Sequence, residues 1–278
     1  AHCPMAAIRR PRRTMRYSRT HGPVSFGLYG GLVLALLLIG LGLAGGWYAF
    51  VPFALAILIV AGYFLAATLF VAYQLNDGPG GTAADILIRL GQLRPEDHVV
   101  CIDLGLRATA VAIARHLTTG EVTVIDVYNP QSNLGGALHR ARGRAGKPPS
   151  DPRLNWIDGS IDLLPLPDRS VRAVYLDQML SEFWLPEEQE RLLAEARRIL
   201  IPEGRLLVAE RVRAQSNLLL AGVVTYTLPS HEQWRGLLQR AGFTIQREEF
   251  PHGLLYCVRA DKPSPAAARQ MTLQLEYV

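Results

Sequence analysis

From Thr20 to Asn76 the chain contains no Asp, Glu, Lys or Arg, and no other property of the sequence restricts its folding as much. A charge-free run of this length is too long for one membrane span and suits two of about 20 residues each. The spans are expected at about Val24–Gly45 and Ala49–Tyr73, with Gly46-Trp47-Tyr48 as a short interfacial turn and Pro52 just inside the second. Two successive spans, with no small-residue cleavage site leading into an export-type domain, argue against a signal peptide. Gly27-x-x-x-Gly31 and Gly42-x-x-x-Gly46 would let the helices approach closely, or are ordinary membrane-helix composition.

Arg9, Arg10, Arg12, Arg13, Arg16 and Arg19 precede the run with no acid among them. The formal charge of the chain is +5, so this arm carries more than all of it and the remainder sums to −1. Arginines beside a span hold that end in the cytoplasm, and a two-span hairpin returns the chain to the same side. The expected location is therefore the inner membrane, with the N-terminus and the globular domain cytoplasmic. Anionic lipid or a protein partner is the expected ligand of the arm, in preference to nucleic acid. Cys3, Cys101 and Cys257 are too scattered for a disulfide framework, and no histidine stands at a metal-ligand spacing.

The organisation expected is a basic arm over 1–22, two transmembrane helices over 23–75, an α/β domain over 76–262 and an extended tail over 263–278. Within the domain, Thr82 caps a helix with Ala83, Ile86, Leu87 and Leu90 on its apolar face. Val99–Asp103 then reads as a buried strand, with a tight turn at Gly105 and a helix from about Leu106 to Leu117. Glu121–Asp126 is the second strand, and an acid ending the second strand of a doubly wound sheet can accept hydrogen bonds from a ribose diol. Leu154–Ile157 and Ala173–Leu176 follow as strands, Pro186-Glu187-Glu188 opens a helix, and Ser230-His231-Glu232-Gln233 is a capping box. Phe243–Gln246 and Leu254–Val258 close the sheet.

Asp103-Leu104-Gly105-Leu106-Arg107-Ala108-Thr109 resembles the first motif of the class I S-adenosylmethionine-dependent methyltransferases, and Asp158 to Val174, with Leu164-Pro165-Leu166-Pro167-Asp168 at its centre, resembles the segment before their fourth strand. The resemblance covers about residues 82 to 262. It implies a doubly wound, mostly parallel, seven-stranded Rossmann-like sheet. It also implies cofactor positions at Asp103, Gly105, Asp126 and Ser160. The chain departs from the pattern in three places. Arg107 and Thr109 replace the second and third glycines, Ser160 stands where the adenine-reading acid belongs, and Ser181 lies where a histidine is frequent. A long side chain in the glycine loop brings backbone strain or occlusion. General-base work would fall to Asp177 or Glu182, poor bases at ordinary pKa values.

Two readings follow. One is an S-adenosylmethionine-dependent methyltransferase acting on a lipid, quinone or isoprenoid at the membrane surface. The other is a methyltransferase-like protein without catalytic residues and without cofactor, its cofactor positions vestigial. That protein would be an accessory or structural subunit of a membrane assembly, with a respiratory or photosynthetic one a natural setting. It would meet the bilayer and other membrane subunits through its arm, hairpin and tail, and the three departures favour it. Residues 129–153 are expected to hold a helix around Leu134–Ala141 and otherwise an exposed basic loop with Arg140, Arg142, Arg144 and Lys147, either a solvated face or a patch for phosphate-bearing partners. Asn217–Leu228 reads as core, a lid over an apolar substrate or a segment dipping into the bilayer. Met271–Val278 alternates as a strand that needs a partner edge.

Overall fold

Gly46, at φ +71°, reverses the chain between two apolar helices, a conformation that costs glycine little because it has no Cβ. The helices are α1 (Gly22–Ala44) and α2 (Val51–Asn76), close to the expected spans. Trp47 N–H donates to Gly42 O at 2.8 Å, and a 3₁₀ turn over Tyr48–Phe50 leads into α2. The computed structural model describes residues 22–76, 81–133, 135–146, 150–213 and 228–266. These fall into two units divided between Gly80 and Gly81.

In the first unit the seam between α1 and α2 is made of alanine: Ala35, Ala54 and Ala61 are buried, while Leu34, Leu37, Leu41, Phe53, Ile59 and Phe70 are exposed. Of the two uses open to the glycine pairs, ordinary helix composition fits Gly31. A Cβ on Gly31 would meet nothing within 4 Å, and Gly42 instead packs beside Val51 and Trp47 at the hairpin end. Alanine suffices because its methyl group admits close helix approach without the backbone entropy that glycine loses. Among the described residues, Tyr48–Ala67 is long and apolar enough to cross a membrane, and Tyr29–Ala44 is a shorter apolar helix.

The second unit opens with the capping box of α3 (Ala83–Gly91): Asp85 N–H donates to Thr82 Oγ1 at 3.3 Å and Thr82 N–H to Asp85 Oδ2 at 2.8 Å. Its expected apolar face is buried. The chain continues as β1 (His98–Asp103), α4 (Ala108–Ala114), β2 (Glu121–Asp126), α5 (Gly136–Ala145), β3 (Leu154–Asp158) and β4 (Val171–Asp177). It ends as α6 (Pro186–Ile199), β5 (Leu200–Arg211), α7 (His231–Arg240), β6 (Thr244–Glu249) and β7 (Leu255–Asp261). The seven strands form one sheet in the order β3-β2-β1-β4-β5-β7-β6, parallel except at β7. The direction of winding reverses between β1 and β4, which places a crevice at their carboxyl ends.

Part of the expected basic loop is helical. Arg140, Arg142 and Arg144 lie on α5, which runs four residues beyond the predicted end at Ala141 because Arg142 finds an acid partner across the strand ends. Arg198 on α6 holds the Leu-Pro-Leu-Pro-Asp segment. It pairs with Asp168 at 2.6 Å and Glu195 at 2.8 Å, and donates to Leu164 O and Leu166 O at 3.0 Å each. The basic arm, Asn217–Thr227 and Met271–Val278 lie outside the described residues.

Candidate functional site: the strand-end crevice

Asp103 ends β1 and organises the loop behind it. Its Oδ1 accepts Leu104 N–H at 2.7 Å and Leu106 N–H at 3.1 Å, and its Oδ2 accepts Arg107 N–H. Burial pushes its pKa up, opposed by those three amides. The turn passes through two left-handed residues, Gly105 at φ +80° and Arg107 at φ +65°. For a non-glycine residue that region costs roughly 1–2 kcal/mol. Arg107 thus adopts the backbone that the glycine it replaces would adopt freely. Its side chain reaches across the crevice, donating to Gly146 O just beyond α5 and standing 5.9 Å from the Trp156 ring centre.

Asp126 lies beside Asp103 in the β1–β2 register, as strand reading placed it. Arg142 occupies it: one nitrogen, Nη1, donates to Oδ1 at 2.9 Å, to Oδ2 at 2.8 Å and to Leu104 O at 2.6 Å. The guanidinium stacks 4.0 Å above the Tyr128 ring. It also covers Gly105, where a Cβ would come within 2.6 Å of Arg142 Cζ and 3.0 Å of Asp126 Oδ2. An adenosyl ribose on Asp126 needs free carboxylate oxygens and an open glycine face. Arranged as they are, these residues do not fit it.

The third replaced position closes on another acid. Thr109 Oγ1 donates to Asp177 Oδ2 at the end of β4, and Gln178 Nε2 donates to Oδ1 at 3.3 Å. Burial drives the Asp177 pKa up despite both bonds, and burial likewise raises Glu182. The ordinary values expected for these two carboxyls are therefore wrong. Water that would stabilise their charge is displaced by the packed turn after β4.

Glu210, near the end of β5, went unnoticed in the sequence. It is 0% exposed, its Oε1 accepts Leu180 N–H at 2.6 Å, and the Ser181 hydroxyl and the Met179 amide are also directed at the carboxyl. Burial lifts its pKa to about 7. The available signal was an acid closing the apolar run Leu206-Leu207-Val208-Ala209. Ser160, next to Gly159 whose N–H donates to Asp126 O at 2.9 Å, lines a cavity of about 320 Å³ with Tyr128, Ser132, Asp162, Glu188 and Arg191. Its hydroxyl accepts Asp162 N–H at 3.3 Å, and Asp162 pairs with Arg191 at 2.5 Å. The crevice brings Asp103, Gly105 and Asp126 together, and Ser160 follows the end of β3 beside Asp126.

Residues 102–208 match the profile of the family described as a methyltransferase domain. No curated protein sequence matches the chain. Among solved structures, a SAM-dependent methyltransferase from Aquifex aeolicus is similar at TM-score 0.53 and 16% identity, over 68% of this chain and 92% of that one. The 4+2 cyclase SpnF is similar at TM-score 0.49 and 21% identity, over 65% and 80%. A putative methyltransferase from Bacillus halodurans is similar at TM-score 0.48 and 15% identity, over 66% and 100%. The second unit has the Rossmann-like α/β fold of the Aquifex methyltransferase, with a mostly parallel seven-stranded sheet.

Proposed function

Starting from a class I methyltransferase-like domain joined to an apolar helical segment, we propose that this chain is a membrane-anchored pseudoenzyme serving as an accessory or structural subunit of a larger membrane assembly. One observation carries the reading: Arg142 holds both oxygens of Asp126 and covers Gly105, so two of the positions that kept their family identity are engaged internally. Arg107 and Thr109 support it, since each replaced glycine now makes a structural contact of its own.

Anchoring is supported by a surface that water does not suit. α1 and α2 expose leucine, phenylalanine and isoleucine along their length and carry no charge, and lipid is the solvent for which such helices are made. Arginines before the hairpin would keep the domain on the cytoplasmic side. The arm, hairpin and tail would then meet the bilayer and neighbouring subunits, while the α/β domain acts as a rigid body.

Calorimetry tests this directly, with S-adenosylmethionine titrated into the full chain purified gently from its membrane. The expected result is no saturable heat, with stoichiometric subunits co-purifying. Micromolar binding abolished by Asp126→Ala would overturn it and favour an active enzyme on a lipid, quinone or isoprenoid.

A further inference from the structure

We propose that Arg142 is the specificity-determining residue of the crevice, an internal cation that competes with a nucleoside's ribose diol for Asp126. This deepens the reading above, because it takes the crevice as a former nucleoside site and names what closes it.

The argument is geometric. A ribose diol would approach Asp126 as a pair of hydroxyl donors, and Arg142 presents its Nη1 to both carboxylate oxygens at 2.8–2.9 Å. A charge-assisted bond outcompetes a neutral hydroxyl for the same acceptor. The same nitrogen also satisfies Leu104 O, and the guanidinium face rests on Tyr128, so its position is determined from three directions. Side-chain exposure at the pair is 27% for Arg142 and 22% for Asp126, which leaves the attraction less screened than on an open surface.

The second arginine reinforces the first. Arg107 donates to Gly146 O, one residue past the end of α5, so the helix bearing Arg142 is tied to the β1 loop at that end as well. The two bonds join α5 to the ends of β1 and β2. α5 is bordered by Gly135 before it and by Gly146, at φ +74°, after it. Removing the guanidinium would free Asp126 and uncover Gly105 without touching the sheet.

The test uses S-adenosylhomocysteine as the probe, with isothermal titration of the full chain in detergent. Arg142→Ala and Arg142→Gln are compared with the unaltered protein, and thermal unfolding establishes that each is folded. Since α5 packs into the core through Leu138 while Arg142 itself is part-exposed, at least one is expected to melt like the parent. The expected result is binding at least about tenfold tighter than the parent, equivalent to about 1.4 kcal/mol, or binding where the parent has none. The gain should vanish in Asp126→Asn/Arg142→Ala. Unchanged, weaker or absent binding in the folded single variants overturns the proposal, as does a gain that survives loss of Asp126. The parent titration alone decides the pseudoenzyme reading, and the ratio of variant to parent decides this one.

Discussion

The Leu180 amide donates to Oε1 of Glu210 at 2.6 Å, joining the turn after β4 to the interior of the sheet through a carboxyl with no exposure to solvent. Burial lifts that carboxyl from 4.5 to about 7. Between those two values the folded protein holds a proton that the unfolded chain has released, so stability falls as pH rises across the window. The full shift corresponds to on the order of 3 kcal/mol. Glu210→Gln keeps the acceptor for Leu180 and cannot ionise. It should therefore lose less stability than the parent between pH 5 and pH 8, as measured by urea unfolding. Parallel curves for the two proteins would refute this.

Thr109 and Asp177 form the next pair to test. The hydroxyl bonds a carboxyl that burial already disfavours as an anion. Thr109→Val preserves the shape and removes the donor, with an expected loss of about 1–3 kcal/mol near neutral pH. Thr109→Ser should recover most of it. Equal unfolding midpoints for Thr109→Val and the parent would show that the bond contributes nothing.

Arg198 joins two acids and two carbonyls of the Leu164–Asp168 segment, an arrangement that needs a planar fork of donors. Arg198→Ala should cost about 2–3 kcal/mol, less than a fully buried network because Asp168 is largely exposed. Arg198→Lys should recover under half. Full rescue by lysine in thermal unfolding would mean that charge alone matters there.

The hairpin makes a prediction by position. Ala54 is buried in the seam between α1 and α2, and Gly31 faces open space. Ala54→Leu should separate the helices and cost about 1–3 kcal/mol, while Gly31→Leu should be tolerated. Thermal unfolding in detergent distinguishes them, and equal sensitivity at the two positions contradicts the seam.

Periodicity and end signals are local, and they carried most of the architecture. The Val99–Asp103 and Glu121–Asp126 strands, the capping boxes at Thr82 and Ser230, and the proline-led helix at Pro186 were all legible, because each depends on neighbours within about one turn or one strand. So was the departure of Arg107 and Thr109 from a glycine pattern.

What those departures mean came only from tertiary structure. Nothing in the spacing of Asp126 and Arg142 shows that they meet, since that pairing depends on how α5 crosses the strand ends. The raised pKa of Asp177 and the proton affinity of Glu210 follow from water excluded by residues distant in the chain. Local sequence determined which strands and helices form and in what order. Only their packing decided that Asp103 and Asp177 lose much of their hydration, and that Asp126, where the resemblance implies a ribose contact, is bound to an arginine of the same chain.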